Sequence, residues 1–405
     1  VHKHTPEISA DERDEILSAA RDLAKKFDSV GAECDRDNRF PTESVAWYKD
    51  SGLVEIAVPK RFGGRGADML TTALVGLELA KGDPGIALAY NMHQAMVGIF
   101  RGNAGMTEEV REDVLTKVAR DRQILCGPFS EARAGLTGLA DTVAVPDGAG
   151  GWRISGKKNW STLIEGADLI ALNATVTDAD GKLPEDFREH AAREACFIIP
   201  KDLPGVGVDR TWDTLGMRAT GSQTLVLDEV PATEGMFAGN FRTGLIGEAE
   251  WAAVLFGGVY LGLGEKAYAE ALRFVKAKHT GATMSAQDSA AQQIGYVQHA
   301  LGRMRYELDV ADRTLRATGQ IAIDQDDAAW PKVARKAKWD VVKVACTEAA
   351  ISVSEQGLRL ASGSGYRRGT LAERLFRDAR AGILHSFGTD QLFDFYGRFE
   401  LGLVG

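Results

Sequence analysis

Long hydrophobic runs are missing from this sequence. No stretch approaches the roughly 18 uninterrupted apolar residues that a membrane-spanning helix needs, so no membrane role is expected. The first segment, Val1 to Asp14, is polar and acidic and does not read as a secretory leader, which makes a cytoplasmic protein the expectation. Cysteine is sparse: Cys34, Cys126, Cys196 and Cys346 stand far apart without a C-x-x-C spacing, which leaves no pattern for a zinc site or a disulfide framework. They read as reduced packing residues. Positive charge is in deficit, with 48 Lys and Arg against 57 Asp and Glu and a formal net charge of -9. Without a long basic run, such a chain repels phosphate backbones, and nucleic acid is not expected as a partner.

What is present suits a large soluble fold. The chain has 405 residues, 44% of them hydrophobic and 26% charged, which is too long for one ordinary core and apolar enough to fill two or three. From Ser9 to Arg120 the pattern is helical: Asp11 to Phe27 is amphipathic, Pro41 to Ser51 follows the opener Phe40-Pro41-Thr42-Glu43, and Leu70 to Ala80 follows a glycine-rich break. Near Gln123 the period changes. Short strand-like runs at Ile124 to Cys126, Trp152 to Ile154, Leu169 to Leu172, Ala195 to Ile199 and Thr224 to Leu227 predict a small β-barrel or sandwich. Long helical segments then return at Gly247 to Lys278, Ala286 to Thr318, Pro331 to Ala361 and Leu371 to Phe395, separated by the polar interval His279 to Ser285 and the Gly363-Ser364-Gly365 turn. No fixed-period repeat explains them. The expected class is α+β, with an N-terminal α-helical domain over residues 1–122, a middle β domain over 123–240 and a C-terminal four-helix bundle over 241–405. The apolar faces around Val341, Val344, Ala345 and Leu358 exceed what one bundle should need and predict association between copies.

Several strings occur in a recognisable order. They are Ser51-Gly52-Leu53 with Val58-Pro59-Lys60-Arg61-Phe62-Gly63-Gly64-Arg65-Gly66; Gly156-Lys157-Lys158-Asn159-Trp160-Ser161-Thr162 with Ala167-Asp168; Leu215-Gly216-Met217-Arg218-Ala219-Thr220-Gly221-Ser222; and, late in the chain, Gly363-Ser364-Gly365-Tyr366 and Leu375-Phe376-Arg377-Asp378-Ala379-Arg380. Taken singly, Trp160 is a core aromatic and the glycines are ordinary turns. As an ordered set covering nearly the whole chain, they resemble the acyl-CoA dehydrogenase superfamily. That resemblance implies the same helix, β, helix architecture, a flavin between the β domain and the C-terminal helices, and a homotetramer. It assigns cofactor contacts to Phe129, Ser130, Trp160, Ser161, Thr162, Arg359, Gly363 and Ser364. The physical sense is that an indole beside the isoalloxazine excludes water while Thr162 and backbone amides hydrogen-bond its edge.

The chain departs from the dehydrogenases where they need a carboxylate base. Removing the proton next to a thioester demands one, and the family's usual glutamate falls here on Ser386 within Ile383-Leu384-His385-Ser386-Phe387-Gly388-Thr389. The alternative position used by some relatives falls on Ala252. Glu248 and Glu250 lie nearby but off register, because a two-residue offset on a helix turns a side chain by about 200°. Glu250 stays as a reserve base, and Glu131 in Gly127-Pro128-Phe129-Ser130-Glu131 is retained from the dehydrogenase pattern. On the adenine side, His279-Thr280-Gly281-Ala282 replaces a pyrophosphate-gripping arginine string, and Arg359-Leu360-Ala361-Ser362-Gly363 lacks a family glutamine.

This pattern resembles the branch of the superfamily that uses reduced flavin and oxygen, the two-component flavin-dependent monooxygenases. Arg377-Asp378-Ala379-Arg380 followed by Leu384-His385 matches a string that, in the sulfur-oxidising members, puts a histidine beside the flavin. His93 and Ser161 match further polar residues of that branch. The resemblance implies catalysis by His385, His93 and Ser161, which would form and protect a flavin C4a-hydroperoxide. It also implies FMN or FAD supplied reduced by a separate flavin reductase, and a small-molecule substrate. Read without the resemblance, His93 is a satisfied structural histidine. Two alternatives remain open: an acyl-CoA or acyl-carrier-protein dehydrogenase or oxidase with a displaced base that serves an electron-transfer partner, and a flavin-binding protein without turnover.

Overall fold

A computed structural model describes residues 6–102, 105–132, 139–241, 250–277, 295–324, 332–385 and 388–403. The chain opens with α1 (Ala10–Asp37), α2 (Glu43–Asp50), α3 (Met69–Gly82), α4 (Pro84–Gly102) and α5 (Glu108–Arg120). Ser9 and Glu12 form a reciprocal capping box at the start of α1: the Ser9 hydroxyl accepts from the Glu12 N–H at 3.2 Å, and the Glu12 carboxylate accepts from the Ser9 N–H at 2.7 Å. The helix runs past Phe27, the expected end of its amphipathic stretch, because Gly31 and Cys34 continue the buried stripe. It stops at Asn38, whose backbone is left-handed with φ 51°. α3 and α4 are buried on nearly every face and form the centre of the helical core.

The middle of the chain contains β1 (Leu125–Cys126), β2 (Val143–Pro146), β3 (Trp152–Ser161), β4 (Leu169–Val176), the short α6 (Phe187–Arg193), β5 (Glu194–Pro200), β6 (Val206–Asp209), β7 (Gln223–Ala232) and β8 (Phe237–Asn240). They form an eight-stranded sheet in the order β6-β7-β3-β2-β4-β5-β8, with β1 running parallel beside β4. The expected middle β domain is thus one hydrogen-bonded sheet, whose path ends on β6 and β8 among the described residues, and inward residues of β2, β3, β4, β5 and β7 pack on one another in a core of their own. The sheet has cover on both sides: along β4, Leu169 and Ala171 join the helical core, whereas Ile170, Leu172 and Ala174 fill a second core. β2, β6 and β8 escaped the sequence reading because each is four residues long and carries proline or glycine.

Beyond the sheet come α7 (Glu250–Ala277), α8 (Gly295–Asp324), α9 (Lys332–Gly365), α10 (Leu371–Ala379) and α11 (Thr389–Glu400). The single helix expected from Leu371 to Phe395 is broken by a 3₁₀ turn at Arg380–Ile383. Gly382 explains the break, since a Cβ there would strike Thr347 and Tyr260, so the chain can press into that corner only as glycine. The turn expected at Gly363 begins one residue early, at Ser362, which leaves helical geometry with φ 57° inside α9. Val341 and Val344, expected on a surface between copies, pack instead against Leu392, Phe395 and Tyr396 of α11. The His279 to Ser285 interval lies outside the described residues. No helix among them is long and apolar enough to cross a membrane.

Candidate active site

The C-terminal end of β3 is irregular where the flavin strand was expected. The β3–β7 register shifts between Lys158 and Ser161, and Trp160 takes φ 54° and Leu163 φ 71°, conformations that non-glycine residues rarely adopt. A tight turn closes the segment, with the Thr162 N–H donating to the Trp160 carbonyl at 2.8 Å. Its effect is to turn the Trp160 indole outward, 63% exposed, while Ser161 is buried. Beside it, the Ser130 carbonyl accepts from the Asn159 N–H at 2.9 Å, which ties the Phe129-Ser130 segment to the strand. The Phe129 ring packs on Phe241 with centroids 5.0 Å apart.

A continuous hydrogen-bond path joins this strand end to α10. The Thr162 hydroxyl lies 2.8 Å from Ser222 Oγ, Ser222 Oγ lies 2.7 Å from Thr220 Oγ1, and Thr220 Oγ1 donates to the Met217 carbonyl at 2.9 Å. The Met217 N–H then donates to Asp378 Oδ1 at 2.6 Å, and Arg377 donates to the Leu215 carbonyl at 2.8 Å. Gly216 makes this possible, because a Cβ there would overlap the Arg377 carbonyl and push the loop off α10. Burial, with the negative charge of Asp83 behind it, pushes the Asp378 carboxyl up to about 7. The Arg-Asp string therefore anchors the loop that faces the strand end.

His385 follows the 3₁₀ turn and is half-buried. Its ring stacks on Phe256 with centroids 4.7 Å apart and planes at 17°, and Nδ1 lies 2.9 Å from the Tyr260 hydroxyl. Lys343 donates to its carbonyl at 3.2 Å. Burial, reinforced by the Lys343 charge, lowers its pKa to about 3, so the imidazole is neutral near pH 7.

His93 has a different setting. It is wholly buried on α4; its Nε2 lies 2.9 Å from the Val54 carbonyl and its Nδ1 accepts from the Leu125 N–H at 3.0 Å. Both nitrogens are thus occupied by backbone, and the ring cross-links the first helical domain to β1. Ser161 donates to the Lys158 carbonyl at 3.4 Å. His385, His93 and Ser161 are each held by partners of their own and share no hydrogen bond. Arg359, Gly363 and Ser364 lie exposed at the end of α9, where Arg359 pairs with Glu355 of its own helix at 2.5 Å. Glu131 is buried in an ion pair with Lys158, and Glu250 is buried at the first residue of α7. Ser386 lies outside the described residues. Sequence reasoning missed Phe256, Tyr260 and Lys343; the four-residue spacing of the first two, on a helix glycine-rich and apolar nearly throughout, was the available signal.

His93→Ala is expected to cost about 3 kcal/mol of stability, since two buried backbone groups lose their partner. Burial first of all lowers the pKa of His93 to about 4, so the folded state binds fewer protons than the unfolded one between that value and about 6.5. The native protein should lose this contribution as pH falls through that window. Urea midpoints measured from pH 7 to pH 5 should converge for the two proteins.

Family models of the acyl-CoA dehydrogenase N-terminal, middle and C-terminal domains match residues 10–122, 129–230 and 254–389. A putative acyl-CoA dehydrogenase of Bacillus subtilis is 26% identical, over 93% of this chain and 94% of its own. A dibenzothiophene monooxygenase of Mycolicibacterium goodii is also 26% identical, over 91% of this chain and 89% of its own. The structure of FMN-bound TdsC from Paenibacillus sp. A11-2 superimposes with a TM-score of 0.83 at 21% identity, covering 96% of this chain and 98% of that one.

Proposed function

Because the chain belongs to the acyl-CoA dehydrogenase family, we propose that it is a flavin-dependent monooxygenase that takes reduced FMN or FAD and oxygen to a small organic substrate. The observation that carries this reading is the environment of His385. Where the family's dehydrogenases need an ionised carboxylate, this chain offers a neutral imidazole braced by an aromatic ring and a phenol. Glu131, the acid retained from the dehydrogenase pattern, is committed to Lys158. The flavin itself, when bound, would supply the electrons that activate oxygen.

The strand end fits such a group. Trp160 presents an outward indole on the strand end that is tied to the Phe129-Ser130 segment, and the Thr162 hydroxyl with its flanking backbone offers polar contacts at one edge. Ser130 and Ser161 belong to the same segment, while Arg359, Gly363 and Ser364 would serve a dinucleotide's far end from an exposed helix terminus. Around the reacting atoms, Trp160 and Phe129 exclude water, and His385 holds a proton on its ring. His93 acts from a distance by fixing β1 against α4. A separate flavin reductase would supply the reduced cofactor. Exposed Tyr296, Tyr306 and Val310 of α8, with Phe393 and Leu401 near the C-terminus, offer apolar surface for a homotetramer.

The test supplies reduced flavin, ¹⁸O₂ and a panel of aromatic sulfur, indole and amino-sugar compounds. One labelled oxygen atom in a product is expected. Anaerobic bleaching of bound flavin by an acyl-CoA, lost in Glu250→Gln, would establish the dehydrogenase reading instead, for which the burial of Glu250 on α7 speaks.

A further inference from the structure

Phe256 and Tyr260 lie four residues apart on α7, so their side chains leave the same face of the helix. Gly382 lets the 3₁₀ turn press against that face, with its α-carbon close to Tyr260 and Thr347, and the chain then delivers His385 onto both rings. Phe256 covers the imidazole plane, and the Tyr260 hydroxyl meets Nδ1 at 2.9 Å. Tyr260 is wholly buried. Burial, then the charge of Asp378, raises its pKa well above the ordinary phenol value, so it keeps its proton. The histidine ring is neutral and carries one N–H.

These facts decide which nitrogen carries that proton. Nδ1 is the hydrogen-bond partner seen for the phenol, and a buried O–H without an acceptor is strongly disfavoured. The phenol therefore donates and Nδ1 accepts, which leaves the ring proton on Nε2. Nε2 has no hydrogen-bond partner among the described residues.

We propose that Tyr260 is a positioning residue: its hydroxyl donates to His385 Nδ1, holds the imidazole as the Nε2-protonated tautomer, and so makes Nε2–H the donor that the active site uses. Lys343 fixes the backbone of the same residue from α9, leaving the ring itself to α7. The proposal rests on the reading of His385 given above, in that a donor held this way serves a reaction only if His385 takes part in one.

The experiment uses the full chain labelled with ¹⁵N at histidine, without flavin, oxygen or substrate. Two-bond ¹H–¹⁵N spectra distinguish the two neutral tautomers, and His385→Gln assigns the signal. The native protein should show the Nε2–H pattern. Tyr260→Phe, which keeps the buried ring, should move the tautomer ratio by roughly three- to tenfold toward Nδ1–H, the change expected from one net hydrogen bond. Phe256→Leu should leave the ratio in place, because it removes the stacked ring and not the donor. In turnover, Tyr260→Phe should lower the product-to-peroxide ratio several-fold at unchanged flavin binding. An Nδ1–H pattern in the native protein, or an unchanged ratio in Tyr260→Phe, overturns the proposal. A shifted ratio in Tyr260→Phe with turnover unaffected both there and in His385→Ala upholds the hydrogen bond and removes the monooxygenase reading of His385.

Discussion

His385→Ala should give a folded protein that still consumes oxygen but releases most of it as hydrogen peroxide. Proton transfer by a positioned side chain contributes about 10²- to 10⁴-fold, so product formation should fall at least about 100-fold while oxygen uptake changes little. The fold should survive because His385 is half-buried and follows a 3₁₀ turn, outside the regular helices. One structural cost is expected: the Tyr260 hydroxyl, wholly buried, loses its partner, worth about 1–3 kcal/mol. The double variant His385→Ala/Tyr260→Phe removes that orphan and should regain stability without regaining product. Since burial and the neighbouring Lys343 hold the native imidazole at about 3, its own titration should leave coupling flat between pH 6 and pH 8. The decisive pair of measurements is the peroxide-to-product ratio and the melting curve. Full coupling in His385→Ala would take this residue out of the chemistry, and a large fall in melting temperature that the double variant does not repair would make it a packing residue.

The sequence made the layered architecture legible because the periodicities are strong and well separated. Leu169 to Leu172 could be read as a strand from its unbroken apolar run, and that run is continuous because both faces of β4 are buried. What could not be read were features set by tertiary contact. Gly382 looks like any glycine in a helical stretch until Tyr260 and Thr347 are seen to occupy the space of its missing Cβ. For the same reason Leu371 to Phe395 reads as one helix where the structure has α10, a 3₁₀ turn and α11. At the site, the ordered strings marked Trp160, Thr162 and the Arg-Asp segment, and the path from Thr162 through Ser222 and Thr220 to Asp378 shows how two distant strings form one scaffold. The roles of histidines were less legible, because a role depends on what the ring nitrogens meet. His93 meets two backbone groups, and His385 meets a phenol.

Lys158→Met should be the most destabilising substitution in the β domain, and its outcome bears on whether Glu131 is an acid or base of the reaction. Lys158 is fully buried on β3 and Glu131 nearly so; their ion pair is joined by Asn173, which accepts from Lys158 at 2.8 Å and donates to Glu194 at 2.6 Å. Glu131 also accepts from the Asp141 N–H at 2.5 Å, the Thr142 N–H at 3.1 Å and the Thr142 hydroxyl at 2.7 Å. Burial alone would raise the pKa of this carboxyl, but the Lys158 charge and these donors outweigh it and hold the group ionised below the usual range. Removing the ammonium leaves a charge in a low-dielectric interior with no counter-ion, which costs about 3–5 kcal/mol. Lys158→Met/Glu131→Gln removes both charges while keeping a side-chain acceptor for Thr142, so it should be more stable than Lys158→Met alone, a sign reversal that only a coupled pair produces. Denaturant midpoints of the two single variants and the double variant measure that coupling directly. If Glu131→Gln instead left the midpoint unchanged and abolished turnover, the carboxylate would be an acid or base of the reaction and the lysine its modulator.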